Sequence, residues 1–194
     1  GNPGLDVMNI EMVSNIAHQN KLPLLVDSTF TTPYLMKPFD YGADLIFHSA
    51  TKFLSGHGVV IGGLLVDSGK FEWSSNKKFK TLNEPYNGFH NMKFVEEFGP
   101  AAFINRARKE GARDFGPCMS PHTAFLILQG LETLSLRMEK HISNTRDIVS
   151  FLNEHNEVKS VSYPELENHP DNKLAQEILP RGCGAVFTFE IEGG

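Results

Sequence analysis

The 194-residue sequence is poor in cysteine, in positive charge and in long apolar runs, and each shortage excludes a class of protein. Its two cysteines, Cys118 and Cys183, have neither a metal-binding nor a redox-type spacing, so we expect a reducing, cytoplasmic setting. The formal net charge of -5 gives no reason to expect binding to nucleic acid or to an anionic membrane. The longest apolar run, residues 59–66, is interrupted by two glycines. It is far shorter than the about 20 residues that a membrane-spanning helix needs.

The remaining composition is that of an ordinary folded protein. Hydrophobic residues make up 40% and charged residues 21%, and the length is enough for one or two domains with a real core. The sequence opens on a turn-like segment without a methionine and closes just after a strand-like run, residues 185–191. We therefore expect it to be a piece of a longer protein.

The first half of the sequence alternates between helix and strand. Apolar side chains recur on one helical face between residues 6 and 19, which predicts a helix there. Residues 22–27, 44–48 and 59–66 read as strands. Their apolar residues are continuous rather than alternating, which indicates an α/β fold with a mostly parallel sheet covered on both faces.

The second half predicts an irregular but packed aromatic segment at residues 67–99, followed by helices. Ser120 is suited to cap a helix whose first position is Pro121. A long helix should end near residue 155, and strands are expected at 158–163 and 184–191. We place a domain boundary near Thr145, so that residues 1–144 form a large domain and residues 145–194 begin a smaller α+β domain.

Polar residues follow two of the predicted strands. Asp27 closes one strand, while Ser49, Thr51 and Lys52 follow another. In open α/β sheets, ligands bind just beyond the carboxyl ends of the strands. An acid, two hydroxyls and an amine suit a phosphorylated aromatic aldehyde. The amine can form a Schiff base, the acid can face a pyridine nitrogen, and the hydroxyls can donate to phosphate.

Simpler interpretations of the same residues remain open at this point. A strand-end aspartate is usually a turn former, and a loop lysine is usually solvated. The glycines around His57 lack the spacings of nucleotide-binding loops. His48 and His57 have no partner at metal-ligand spacing, so no metal site is expected. Composition and periodicity alone leave the function undecided.

Four segments together carry a family resemblance, namely residues 27–30, 42–44, 48–52 and 56–58. They resemble the signature of the Cys/Met-metabolism family of fold-type I pyridoxal-phosphate enzymes. That family includes cystathionine synthases and lyases, methionine gamma-lyase and homoserine-ester sulfhydrylases. The resemblance implies a three-layer large domain, a smaller C-terminal domain and pyridoxal 5′-phosphate as the cofactor.

The resemblance also implies a role for individual residues. Lys52 would be the Schiff-base lysine and Asp27 the partner of the pyridinium nitrogen, while two hydroxyls, those of Ser49 and Thr51, would hold the phosphate. Thr29 would lie close to the cofactor ring. One further residue, Asn2, would lie near the substrate carboxylate.

The sulfhydrylase branch is the most similar. The insertion after Trp73 and residues 130–137 look most like O-acetylhomoserine sulfhydrylases. This implies a transferase of methionine biosynthesis that makes homocysteine from O-acetylhomoserine and sulfide by gamma-replacement. A gamma-lyase acting on methionine or cystathionine is the alternative, and a catalytically idle fragment is a second one.

The resemblance further implies a homo-oligomer whose active site is shared between subunits. A ring-stacking aromatic residue and a substrate-gripping arginine belong to segments outside these 194 residues. We therefore expect the 194 residues alone to be inactive.

Overall fold

The computed structural model describes residues 4–193, which form two β-sheets joined and covered by helices. The strands are β1 (Leu25–Asp27), β2 (Leu45–Ser49), β3 (Gly63–Asp67), β4 (Val158–Ser162) and β5 (Thr188–Ile191). The α-helices are α1 (Ile10–Gln19), α2 (Thr32–Leu35), α3 (Lys80–Asn83), α4 (Phe94–Phe98), α5 (Ala102–Arg106), α6 (Pro121–Glu132), α7 (Leu134–Asn153) and α8 (Asn172–Ile178). Short 3₁₀ and π-helical turns lie between several of them.

The first sheet has the order β1-β2-β3. β1 and β2 are parallel, as predicted, but β3 pairs antiparallel with β2. A parallel crossover needs a connection of about a dozen residues, usually containing a full helix. The connection between β2 and β3 holds a single π-helical turn, Ala50–Leu54, and then doubles back. Within residues 4–193 the first sheet is therefore mixed, with one parallel and one antiparallel strand pair.

Four predicted elements begin three or four residues later than expected, namely α1, β1, β3 and β5. Strands β1 and β5 start at Leu25 and Thr188 rather than at residues 22 and 184. Helix α1 begins at Ile10 rather than at residue 6, because the side chain of Asn9 caps it by accepting the Met12 N–H at 2.9 Å. Strand β3 begins at Gly63 rather than at residue 59. The four residues before Gly63 lie outside the strand.

The expected cover on both faces of the sheet is incomplete within residues 4–193. Leu25, Phe47 and Leu65, one from each strand, are 52%, 37% and 38% exposed. Val26, Leu45 and Ile46 are buried. The continuous apolar strands predicted that both faces of the sheet are buried. Within residues 4–193, part of this surface remains exposed.

Two helices position the turn that follows β2. Ala50 and Leu54 of this turn are buried in one core with Ile127 of α6 and with Leu134 and Met138 of α7. Ser120 caps α6 by accepting the Thr123 N–H, and Pro121 occupies the first helical position, as predicted. This core fixes the backbone that carries Lys52.

The predicted aromatic insertion forms a core of its own. Buried aromatic residues of the segment between β3 and α5 pack together with Leu45 of the central strand β2; they include Phe71, Trp73, Phe89 and Phe94. The segment is irregular, with short helices and turns, as the sequence predicted.

Helix α7 continues from the first core into a second unit, where β4 and β5 pair antiparallel. Val149 of α7 packs there with Val161 and Tyr163. The helix is unbroken at Thr145, so the boundary placed there stays a prediction. Among residues 4–193, no helix has the length and apolarity that crossing a membrane requires.

Candidate active site

The carboxyl ends of β1 and β2 lie side by side, and hydrogen bonds tie together the segments that leave them. Asp27 pairs with Phe47 in the parallel register. The pairing continues one residue further, where Ser28 donates its N–H to the Phe47 carbonyl at 3.0 Å. The buried Thr29 hydroxyl then accepts the Ser49 N–H at 2.8 Å. Two of the chain segments that carry predicted site residues are thus brought together.

Asp27 extends from this edge with an exposed side chain. Its Oδ1 accepts the Thr29 N–H at 2.9 Å, which is the bond of a turn-forming aspartate. Asp27 therefore does form a turn, as the simpler interpretation predicted. This bond does not exclude a second partner, because a carboxylate can accept hydrogen bonds from several donors.

Lys52 lies in the π-helical turn and has an unusual backbone. Its φ of −89° and ψ of −122° lie outside the helical region, although its neighbours belong to the turn. The turn closes around it, with the Gly56 N–H donating to the Lys52 carbonyl at 2.9 Å and Ser55 donating to Ala50 at 3.1 Å. The Lys52 side chain is exposed, so its amine is accessible.

The two predicted phosphate-side hydroxyls differ in how they are used. Thr51 Oγ1 accepts the Gly62 N–H at 3.1 Å and donates to the Gly62 carbonyl at 3.3 Å. A hydroxyl has one proton, so Thr51 cannot give it to both Gly62 and a phosphate. Ser49 is half-buried, and its hydroxyl has no protein partner within the described ranges. Ser49 is the more available donor.

The two histidines considered as metal ligands occupy different environments. His48 is buried, and burial lowers the pKa of its imidazole, which therefore stays neutral. His57 lies on the exposed loop after the lysine turn, with Nδ1 2.6 Å from the Ser55 carbonyl. Neither arrangement suggests a shared ligand site.

A cavity of about 470 Å³ borders Asp27. Its walls are mostly apolar and come from the segment before α1, from β1 and from the second unit; they include Val7, Val26, Phe30 and Val186. Lys52 and Ser49 do not line it. Asn2 lies outside the described residues, and the segment that follows it lines the cavity from Leu5 onward.

Sequence reasoning missed the contacts that α6 and α7 make with the lysine turn. Arg137 of α7 donates to the Phe53 carbonyl, 84 positions earlier in the chain, at 2.9 Å. Helix α6 approaches closely, because a Cβ at Gly130 would lie 2.2 Å from the Ser55 carbonyl oxygen. A glycine inside a helix was the available signal for a close approach of backbones.

These features define a class of protein. An accessible lysine, a carboxylate and a free hydroxyl follow two parallel strands at the edge of an α/β sheet. That donor set fits a phosphorylated pyridine aldehyde, with an amine for the aldehyde, a carboxylate for the ring nitrogen and a hydroxyl for the phosphate.

The chain belongs to the family described as Cys/Met metabolism PLP-dependent enzymes, whose family model matches residues 1–194. The chain is 48% identical over 196 residues to homocysteine synthase of Schizosaccharomyces pombe, covering 100% of this chain and 46% of that protein. It is 45% identical over 203 residues to O-acetyl-L-homoserine sulfhydrylase of Leptospira meyeri, again covering 100% of this chain and 46% of the relative. The chain thus spans about half the length of the curated relatives it matches.

Solved structures confirm the fold-type I architecture. A Campylobacter jejuni structure designated O-acetylhomoserine (thiol)-lyase matches with a TM-score of 0.94 and 33% identity, over 99% of this chain and 48% of that one. It contains N′-pyridoxyl-lysine-5′-monophosphate. An O-acetylhomoserine sulfhydrylase of Wolinella succinogenes matches with a TM-score of 0.83 and 36% identity, over 99% and 52% of the two chains. Pyridoxal phosphate is therefore the cofactor of this class, as predicted.

Proposed function

We propose that the complete protein makes homocysteine from O-acetylhomoserine and sulfide by gamma-replacement. The observation that carries the proposal is the position of Asp27, Ser49 and Lys52 at or just after the carboxyl ends of two neighbouring parallel strands, in a chain of this family. The branch is supported by relatives at 48% and 45% identity that are named homocysteine synthase and O-acetyl-L-homoserine sulfhydrylase.

Pyridoxal phosphate supplies an electron sink when it is bound. Lys52 would hold the cofactor covalently and, once displaced by the amino-acid substrate, would move protons at Cα and Cβ. The exposure of Lys52 leaves its amine accessible for this role. Asp27 would keep the ring nitrogen protonated, since a carboxylate favours a nearby positive charge.

The other proposed contacts follow from the same edge. Ser49 would donate to the phosphate first, because its hydroxyl is free, and Thr51 would join only by releasing the Gly62 carbonyl. Thr29 would lie beside the ring, since it is buried between the two strand ends. Asn2 would contact the substrate carboxylate, a role that rests on the family resemblance.

We also propose that the protein is a cytoplasmic homo-oligomer whose active sites are shared between subunits. Exposed apolar side chains beside the lysine turn support an interface with another subunit. Val59 is 63% exposed and Ile61 is 88% exposed. Exposed apolar clusters on folded proteins commonly mark interfaces.

The test is a comparison of two reactions of the full-length protein. With O-acetylhomoserine and sulfide, we expect homocysteine to form with a higher kcat/KM than that for elimination from methionine or cystathionine. Efficient release of 2-oxobutanoate from methionine without sulfide would favour the gamma-lyase alternative. Absence of both activities, with cofactor bound, would favour the idle alternative.

A further inference from the structure

The backbone at Lys52 departs from the π-helical turn to which its neighbours belong, with φ of −89° and ψ of −122°. The bonds within the turn involve the Lys52 carbonyl and residues 50, 55 and 56. Helices α6 and α7 pack against the same turn from outside.

Arg137 is the charged group that reaches this turn from a distant element. Its guanidinium donates through Nη1 to the Phe53 carbonyl at 2.9 Å, through Nη2 to the Gly130 carbonyl at 2.6 Å and through Nε to the Thr133 hydroxyl at 3.1 Å. Phe53 is the residue directly after Lys52. One planar group thus joins the lysine turn, the end of α6 and the start of α7.

The partners of Arg137 are all neutral oxygens. Within residues 4–193, none of the ion pairs involves Arg137. Carbonyl groups near the end of a helix have no partner inside the helix, and cationic donors satisfy them well. The guanidinium therefore has no carboxylate partner among the described residues, and two of its three hydrogen bonds orient backbone.

The turn is shaped to receive this guanidinium. A Cβ at Gly56 would lie 2.4 Å from Arg137 Cζ, and Gly56 has a φ of +71°, which favours glycine. A Cβ at Gly130 would lie 2.6 Å from the Leu54 carbonyl oxygen. Gly56 therefore leaves room for the guanidinium, and Gly130 lets helix α6 approach the backbone of the turn.

We propose that Arg137 is a positioning residue for Lys52, which holds the lysine turn in its non-helical conformation through the Phe53 carbonyl. The proposal rests on the proposed role of Lys52. Arg137 itself touches neither the reacting atoms nor the cofactor. Its effect is to aim the lysine amine and to limit the opening of the turn.

The test uses full-length protein with Arg137→Gln and Arg137→Lys, and with Lys140→Gln as the control. Lys140 is an exposed cation on the same helix, so its loss changes the charge of α7 without touching the turn. Hydrogen exchange of peptides spanning residues 50–58 is measured with and without cofactor. In protein stripped of cofactor, borohydride capture of added pyridoxal phosphate at Lys52 is followed with time.

Arg137→Gln should raise exchange in residues 50–58 by about tenfold, as expected when a charge-assisted hydrogen bond that limits local opening is lost. Capture at Lys52 should slow, and kcat should fall while KM changes less than about twofold. Arg137→Lys should behave like Arg137→Gln, because one ammonium cannot span the Phe53 and Gly130 carbonyls. Lys140→Gln should match the unaltered protein.

A milder variant covers the case in which Arg137→Gln does not fold. Thr133→Val removes the Nε acceptor and the bond from the Thr133 hydroxyl to the Gly130 carbonyl, but leaves the Phe53 carbonyl bond in place. It should shift exchange in the same direction by less. Unchanged exchange and capture in the Arg137 variants would overturn the proposal. An equal rise of exchange across β2 and α7 would also overturn it, because Arg137 would then be a general stabiliser. Capture at another lysine in the unaltered protein would instead refute the role of Lys52.

Discussion

Two polar clusters of this molecule use their hydrogen bonds in opposite ways. At the sheet edge, Asp27 and Lys52 have exposed side chains and Ser49 has an unused hydroxyl. In the second unit, the Glu165 carboxylate accepts four hydrogen bonds, two from Arg146 and two from the residues packed around it. The first cluster can still bind a ligand, whereas the second has no capacity left.

The pKa values of the second cluster show the consequence. Burial raises the pKa of the Tyr163 phenol far above its usual range, and it raises the pKa of the Cys183 thiol to about 12. Burial acts to raise the pKa of Glu165 as well, but hydrogen bonds from Arg146 and the Cys183 N–H outweigh it and leave that pKa lowered. None of these groups changes charge near neutral pH, so the cluster serves as framework.

The two clusters show that a strongly shifted pKa does not by itself identify a reactive group. Strong perturbation and dense hydrogen bonding often mark functional sites. Here they mark the joint between α7, β4 and the segment before β5. The residues of the proposed active site are instead accessible, and Lys52 and Asp27 have exposed side chains.

The largest expected effect comes from Lys52→Ala in the full-length protein. Turnover should fall by about 10³-fold or more, because the residue proposed to hold the cofactor covalently is gone. Borohydride reduction and peptide mapping should find the reduced cofactor on Lys52 in the unaltered protein. Lys140→Ala is the control, since it removes an exposed lysine of α7. Mapping of the cofactor to a different lysine would show that Lys52 is an ordinary solvated side chain.

Asp27→Asn should have the next largest effect. The amide oxygen can still accept the Thr29 N–H, so the turn should survive, but the negative charge is lost. We expect substrate deprotonation to slow by about 100-fold, which corresponds to about 2.7 kcal/mol at the transition state. Stopped-flow measurement of Cα proton loss tests this, with the exposed Asp40→Asn as the control. A near-normal rate would leave Asp27 with its turn-forming role alone.

The sequence predicted the parts of the site that depend on local order. Asp27 ends one short strand and Lys52 follows the next one, so their placement at one edge follows from the connectivity of a parallel pair. The cap at Ser120 was predictable for the same reason, since a helix start is a local pattern.

Long-range contacts had no such local signal. Arg137 and the Phe53 carbonyl are 84 positions apart, and a backbone carbonyl is identical in every residue. The antiparallel β3 was missed because apolar strands of either direction read alike. The bond between Thr51 and Gly62 depends on that reversal, so it was hidden with it.

The second cluster is tested by Glu165→Gln, which should affect stability and not chemistry. Removing the charge weakens the bonds from Arg146 and Tyr163 and should cost about 2 kcal/mol of unfolding free energy at neutral pH. The folded pKa of Glu165 lies below its ordinary value of 4.5. The contribution is therefore complete above that pH and is lost as the pH falls through the folded pKa.

Urea unfolding from about pH 7 to about pH 3 should show the difference between Glu165→Gln and unaltered protein shrinking with acid. Glu167→Gln, an exposed carboxylate two residues away, is the control and should change stability little at either pH. A constant difference across this range would show that charge on Glu165 does not stabilise the second unit.

The smallest expected effect concerns the two free cysteines, of which Cys183 belongs to the second cluster and Cys118 does not. Cys118 is exposed, whereas burial raises the pKa of Cys183 to about 12. At about pH 8 only about 10⁻⁴ of the Cys183 thiol is ionised, and the thiolate is the form that reacts. Iodoacetamide followed by peptide mapping should therefore label Cys118 at least about 100-fold faster in native protein. Cys118→Ser removes the fast reaction, and denaturant should bring Cys183 to the rate of an unfolded thiol. Equal labelling in the native state would show that the second unit opens readily, which would weaken its contrast with the sheet edge.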